Sequence, residues 1–141
     1  MVVLDTDHMS LLEWGETRGS TPLRTRLAAL PPAEVATTII SYEEQMRGWM
    51  AYIARTRSMT HQVEAYQRLR RQLENYCRTL VLAFDDQAAV TLQRLRRARI
   101  RIGTMDLKIA AIALSHNAIL LSRNLADFRQ VPNLRVEDWT L

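Results

Sequence analysis

Met1-Val2-Val3-Leu4-Asp5-Thr6-Asp7 opens the chain with the apolar run Val2-Val3-Leu4, behind the initial methionine, that stops at a carboxylate. A short unbroken apolar run ended by a polar residue is the pattern of a strand buried on both faces, as in a parallel sheet. A helix is predicted to follow at once. Thr6 or Asp7 caps it, Met9, Leu11, Leu12 and Trp14 supply its apolar side, and Gly15 stops it. Pro22 opens a second helix over 23–30, closed by Pro31-Pro32. The β-branched stretch 35–40 predicts a second strand that runs into Ser41-Tyr42-Glu43-Glu44. Two long helices, about 42–55 and 60–77, follow and are expected to pack as a hairpin. Strands are predicted at 80–84, 118–121 and 134–136, with helices at 85–97, 105–116 and 125–128. Strands alternating with helices require right-handed crossovers and a parallel sheet covered on both faces. Ligands of such sheets bind beyond the carboxyl ends of the strands.

The 141 residues are expected to form a single domain over 1–141. With 48% hydrophobic and 24% charged residues, the composition excludes disordered and fibrous classes. Cys77 is the only cysteine, which excludes an internal disulfide and a thiolate zinc cluster. No apolar run approaches the ~18 residues of a membrane span, and a carboxylate at Asp5 interrupts any signal-peptide pattern, so the expectation is a cytoplasmic protein with no membrane partner. The net charge of +4 comes almost wholly from arginine, since Lys108 is the single lysine. A planar guanidinium suits phosphate oxygens and so points to an acidic partner, nucleic acid or an acidic protein, with a solvated basic surface as the equal alternative.

Acids collect at the inferred carboxyl ends. Asp5 ends the first strand, Glu43 and Glu44 follow the second, Asp106 opens the helix before the fourth, and Asn124 and Asp127 follow the fourth. Each has a purely structural alternative. Asp5 or Asp7 can cap a helix, Ser41 and Glu44 fit a capping box, and Asp106 suits the positive end of a helix dipole. Three or four carboxylates converging in low dielectric repel one another unless a cation is present. Oxygen donors without histidine or cysteine favour Mg2+, with Mn2+ as a substitute. Such a centre activates water and stabilises charge on a phosphodiester, so nuclease is the natural reaction class.

Four stretches resemble one known family, the PIN-domain ribonucleases of the VapC toxin type. Leu4-Asp5-Thr6-Asp7-His8-Met9-Ser10 is similar to its opening L-D-T-N-x-x-S. Ile39-Ile40-Ser41-Tyr42-Glu43-Glu44-Gln45-Met46-Arg47-Gly48 resembles the block in which a glutamate stands four residues before a glycine, which selects Glu44. Gly103-Thr104-Met105-Asp106-Leu107-Lys108-Ile109-Ala110-Ala111 resembles G-x-x-D-x-x-I-A-A, and Leu120-Leu121-Ser122-Arg123-Asn124 to Trp139 resembles the C-terminal block. The resemblance implies a PIN-like three-layer α/β/α fold with a short central parallel sheet of four to five strands. It implies an endoribonuclease toxin, acting on structured RNA such as tRNA or rRNA and inhibited by a VapB-like antitoxin, which pairs into homodimers and larger toxin–antitoxin assemblies. Asp5, Glu44 and Asp106 would bind the metal, Glu44 directly or through water. Asn124 falls on a position that is acidic in many relatives, so its carbonyl would ligate or orient water, with Asp127 as the alternative fourth donor. Asp7 replaces a common asparagine and is expected to bond backbone near the site or assist the metal. Ser10 is expected to bond locally, and Thr104 to cap its helix or bond the acids.

Arg94, Arg96, Arg97, Arg99 and Arg101 could draw RNA phosphates to the site or form a solvated helix face. Met46, Trp49, Met50, Tyr52 and Ile53, with Val63, Tyr66, Leu69, Leu73 and Tyr76, exceed what a small sheet covers and predict a partner surface. His8, His61 and His116 read as surface or packing residues. Two rivals remain: a haloacid-dehalogenase-type phosphatase starting at Asp5-Thr6-Asp7, which fails at Met9, and a metal-free PIN-like module that only binds RNA or antitoxin, which Asn124 keeps alive.

Overall fold

Val2–Leu4 forms a strand (β1) buried at every residue, as its unbroken apolar run requires. The structure is a computed structural model, and it describes residues 1–13 and 19–141. Helix α1 (Thr6–Glu13) follows directly, and α2 (Ser20–Ala28) runs to the loop before the second strand. Trp14 and Gly15, expected to close the first helix, lie outside the described residues. β2 (Val35–Thr38) is shorter than expected, because Thr38 already caps the next helix by accepting from the Ser41 backbone N–H at 3.1 Å. Helix α3 (Ile39–Arg55) therefore starts two residues before Ser41, and the expected Ser41–Glu44 capping box does not form. α4 (Met59–Cys77) packs back on α3 as the predicted hairpin.

β3 (Leu80–Leu82) leads to α5 (Asp86–Arg97), capped by Asp85, whose carboxylate accepts from the Ala88 N–H at 3.0 Å. α6 (Thr104–Ser115), β4 (Ile119–Leu121), α7 (Leu125–Phe128) and β5 (Arg135–Glu137) complete the chain. The sheet order is β3-β2-β1-β4-β5 and every pairing is parallel.

The order reverses at β1. Strands β1, β2 and β3 step one way, and the chain then returns past β1 to place β4 and β5 on its other side. Right-handed crossovers put the helices of the two directions on opposite faces. Two apolar clusters follow. Val3, Ala36, Leu82 and Leu120 pack with α5 and α6, while Val2, Leu4 and Leu121 pack with Met9, Leu23 and Tyr76. Alternation along β1 thus divides its side chains between the faces. Among the described residues no helix is long and apolar enough to cross a membrane.

Candidate metal centre

The reversal between β1 and β4 opens a crevice at their carboxyl ends, and Asp5 is the first residue past β1 there. Its backbone N–H still donates to the Leu121 carbonyl at 3.0 Å, so the sheet fixes its position. The buried carboxylate accepts from the His8 N–H at 2.9 Å, which makes Asp5 the cap of α1 in place of the expected Thr6 or Asp7. Capping uses one oxygen and leaves the other for a ligand. His8 is fully buried, and its Nδ1 lies 3.3 Å from the same Asp5 oxygen, so it belongs to the site's wall and not to the surface.

Glu43 and Glu44 separate as the glycine spacing implied. Glu43 points outward to Arg47 at 2.6 Å, whereas Glu44 turns to α1 and accepts from the Thr6 hydroxyl at 2.8 Å. Burial raises the Glu44 carboxyl above its ordinary range, against the Thr6 hydrogen bond, and the charges of Asp5, Asp7 and Glu43 raise it further. Asp106 stands in the first turn of α6. Burial, followed by the charges of Glu44, Asp5 and Asp127, pushes its carboxyl up to about 6. The Asn124 amide nitrogen lies 3.5 Å from Asp106 and 3.0 Å from Asp127, donating to both carboxylates. Its nitrogen, not the carbonyl expected from the sequence, thus faces the acids.

Two expectations need correction, and a third falls to its alternative. Asp7 is exposed and pairs with Arg123 at 3.7 Å instead of bonding backbone, because the N–H groups of this turn are already taken by Asp5. Thr104 is the first residue of α6, exposed, and makes no cap; Gly103 occupies the cap position without a side-chain bond. Arg94, Arg96 and Arg97 lie exposed in the last turn of α5, about 12–17 Å along the helix from its first residue, which fits the solvated helix face named as the alternative. Ser10 bonds locally as expected, donating to the Thr6 carbonyl at 3.1 Å. Thr6, His8 and Gln45 were not singled out for the site. The available signal was their helical spacing: Thr6 and Ser10 are one turn apart and face the same side of α1.

The charges of Asp5, Glu44 and Asp127 therefore reach Asp106 at a single edge. As placed, no three His, Cys, Asp or Glu side chains among the described residues are gathered closely enough to hold an ion. The two facts are compatible, since repulsion acts well beyond the ~2.0–2.1 Å of a magnesium–oxygen bond. An all-oxygen donor set, raised carboxyl affinities for protons and a spare Asp5 oxygen fit a hard dication, which would need the side chains to close on it.

Comparison with known proteins agrees with this architecture. The PIN domain family matches residues 2–134. A tRNA(fMet)-specific endonuclease VapC from Salmonella typhimurium is 36% identical over 63 residues, which are 42% of this chain and 48% of that protein. Ribonuclease VapC2 from Rickettsia felis is 45% identical over 38 residues, 27% of this chain and 28% of the relative. The chain thus aligns with about half or less of the length of these curated relatives. Among solved structures, VapBC-1 from nontypeable Haemophilus influenzae superposes with a TM-score of 0.77 at 25% identity, covering 100% of both chains. DNA-bound VapBC from Salmonella typhimurium gives 0.77 at 23% identity, covering 98% of this chain and 97% of the other.

Proposed function

The chain belongs to the PIN-domain family, and from that premise we propose that it is a magnesium-dependent endoribonuclease, the toxin of a VapB-like antitoxin, that cleaves structured cellular RNA such as tRNA or rRNA. One observation carries the reading: at the carboxyl edge of the sheet three distant segments bring carboxylates within reach of one another, the charge of Asp5 raising the proton affinity of Glu44 and of Asp106, and that of Glu44 raising Asp106 further. Names of relatives as ribonuclease and endonuclease VapC support the same activity. Solved VapBC complexes support an antitoxin as partner.

Asp5 and Asp106 would hold the ion, with Glu44 binding directly or through water. When bound, Mg2+ supplies an activated water and neutralises charge developing on the phosphodiester. The chain's own part is positioning. His8 N–H and the β1–β4 pairing fix Asp5, Thr6 holds Glu44 inward, and Asn124 restrains Asp106 and Asp127. Asp106 must shed a proton before it can ligate, so apparent metal affinity rises with pH through about 6. The exposed apolar residues Met50, Met59, Val63, Tyr66 and Leu73 on the α3–α4 hairpin are the surface expected to meet the antitoxin or a second copy.

The test is purified protein, freed of antitoxin, on total RNA with Mg2+ and with chelator; cleavage indifferent to chelator would remove the metal mechanism. The Asn124 amide bridging two carboxylates favours a second reading, a metal-free module that binds RNA or antitoxin without cutting. It predicts RNA binding with no new RNA ends at any Mg2+ concentration.

A further inference from the structure

Helices α1 and α3 leave between them an open pocket of about 350 Å³, lined by Ser10, Glu13, Gln45, Gly48, Trp49 and Tyr52, with two arginines. It is linked to the acids through Thr6 and Gln45. Thr6, which donates to Glu44, accepts at its carbonyl from the Gln45 amide nitrogen, and that nitrogen also donates to Ser10.

Two features say that the pocket is meant to be filled. The first is unmet polarity. Gln45 is only 9% exposed, and among the described residues its amide oxygen has no hydrogen-bond partner, nor has one buried carboxyl oxygen of Glu13. Such acceptors cost free energy until a donor reaches them. Burial pushes the Glu13 carboxyl up to about 7, against a hydrogen bond with Asn75. The second is Gly48, midway along a 17-residue helix where glycine is costly relative to alanine. Its φ is not positive, and a Cβ placed on it would meet nothing within 4 Å. Neither backbone conformation nor a close neighbour demands glycine there, so what it preserves is empty space.

The walls identify the occupant. Trp49 and Tyr52 stand edge to face at 5.7 Å, presenting aromatic surface, and exposed Arg55 lines the same pocket. A planar group with N–H donors on its edge, joined to a phosphate, meets all of these demands at once. We propose that this pocket takes one unpaired nucleobase of the RNA, next to the phosphate held at the acids, and favours a base with an edge amino group over uracil. The proposal rests on the ribonuclease reading and adds a specificity-determining subsite to it.

Binding in chelator separates the two. A fluorescein-labelled pool of random-sequence single-stranded decaribonucleotides is titrated with wild type and with Gly48→Leu, beside an abasic ribose-phosphate chain of equal length. The expected result is about a tenfold or larger loss for Gly48→Leu on the base-bearing pool and no change on the abasic chain. The variant's Tm should be no lower than wild type. Should Gly48→Leu not fold, Trp49→Ala carries the same comparison. Undiminished affinity, or an equal loss on the abasic chain, overturns the pocket and leaves the nuclease standing. Loss of antitoxin binding with RNA affinity intact assigns the pocket to a protein segment and overturns the proposal too. A wild type that binds no RNA in chelator overturns the pocket, and the nuclease reading falls with it only if RNA is also left uncut in Mg2+.

Discussion

Asp106 and Ala111 lie on the same helix, little more than a turn apart, in opposite physical situations. Ala111 sits in a run, from Ile109 to Ala113, that is at most 1% exposed and packed on both sides by α5 and the sheet. Asp106 is half-buried among other carboxylates that resist its ionisation. The core around β1, β4 and α6 is apolar and gains free energy from every contact, at about 25 cal/mol per Å² of apolar surface removed from water. The carboxyl edge and the α1–α3 pocket hold repelling charges and unpartnered acceptors. Residues that lower stability are thus gathered where a ligand would repay them, which is a physical signature of a working site.

Substitutions should break this contrast in opposite directions at its two ends. Asp106→Asn is expected to lower RNA cleavage by about 10³-fold or more, since metal-assisted charge stabilisation is worth several kcal/mol. The same variant should raise the Tm of metal-free protein at pH 8, and a fall in Tm would show that the acid is structural. Glu44→Gln should cost two orders of magnitude or more in single-turnover rate, while Glu43→Gln stays within about twofold. The reverse outcome would move the ligand by one residue. In the core, Leu120→Ala should cost about 2–5 kcal/mol in denaturant unfolding while the folded fraction keeps its turnover.

The smallest effect is in pH. Folded-state carboxyls of Asp106 at about 6 and Glu13 at about 7 stand above their ordinary 3.8 and 4.5, so the native state binds more protons across that interval. Stability of the metal-free protein should fall as pH rises from about 4 to 7, then level off. Glu13→Gln should flatten the upper part of that slope in Tm measured by calorimetry. A Tm that climbs over the same window would contradict both shifts.

Much of this contrast was legible in the sequence. The unbroken run Val2–Leu4 gave a doubly buried strand, the strand–helix alternation gave the parallel sheet, and the acids fell at its carboxyl ends. Strand order was not readable, because any of several right-handed arrangements satisfies the same alternation. The capping residues were misread for a local reason. Asp5 and Thr38 each begin a helix one to three positions earlier than hydrophobic periodicity suggests, and a cap is chosen by backbone geometry that composition does not record. Glu13 and Gln45 were hidden for a different reason: each looks like an ordinary polar helix residue until α1 and α3 are laid side by side.

β1 holds the middle position of the sheet, yet its neighbour β4 begins at Ile119. During synthesis on the ribosome, the central strand has one edge uncovered until β4 has emerged, and Asp5 cannot meet Asp106 across that pairing before then. The acids therefore come together only when β4 pairs with β1, and long-range parallel pairing of this kind is slow.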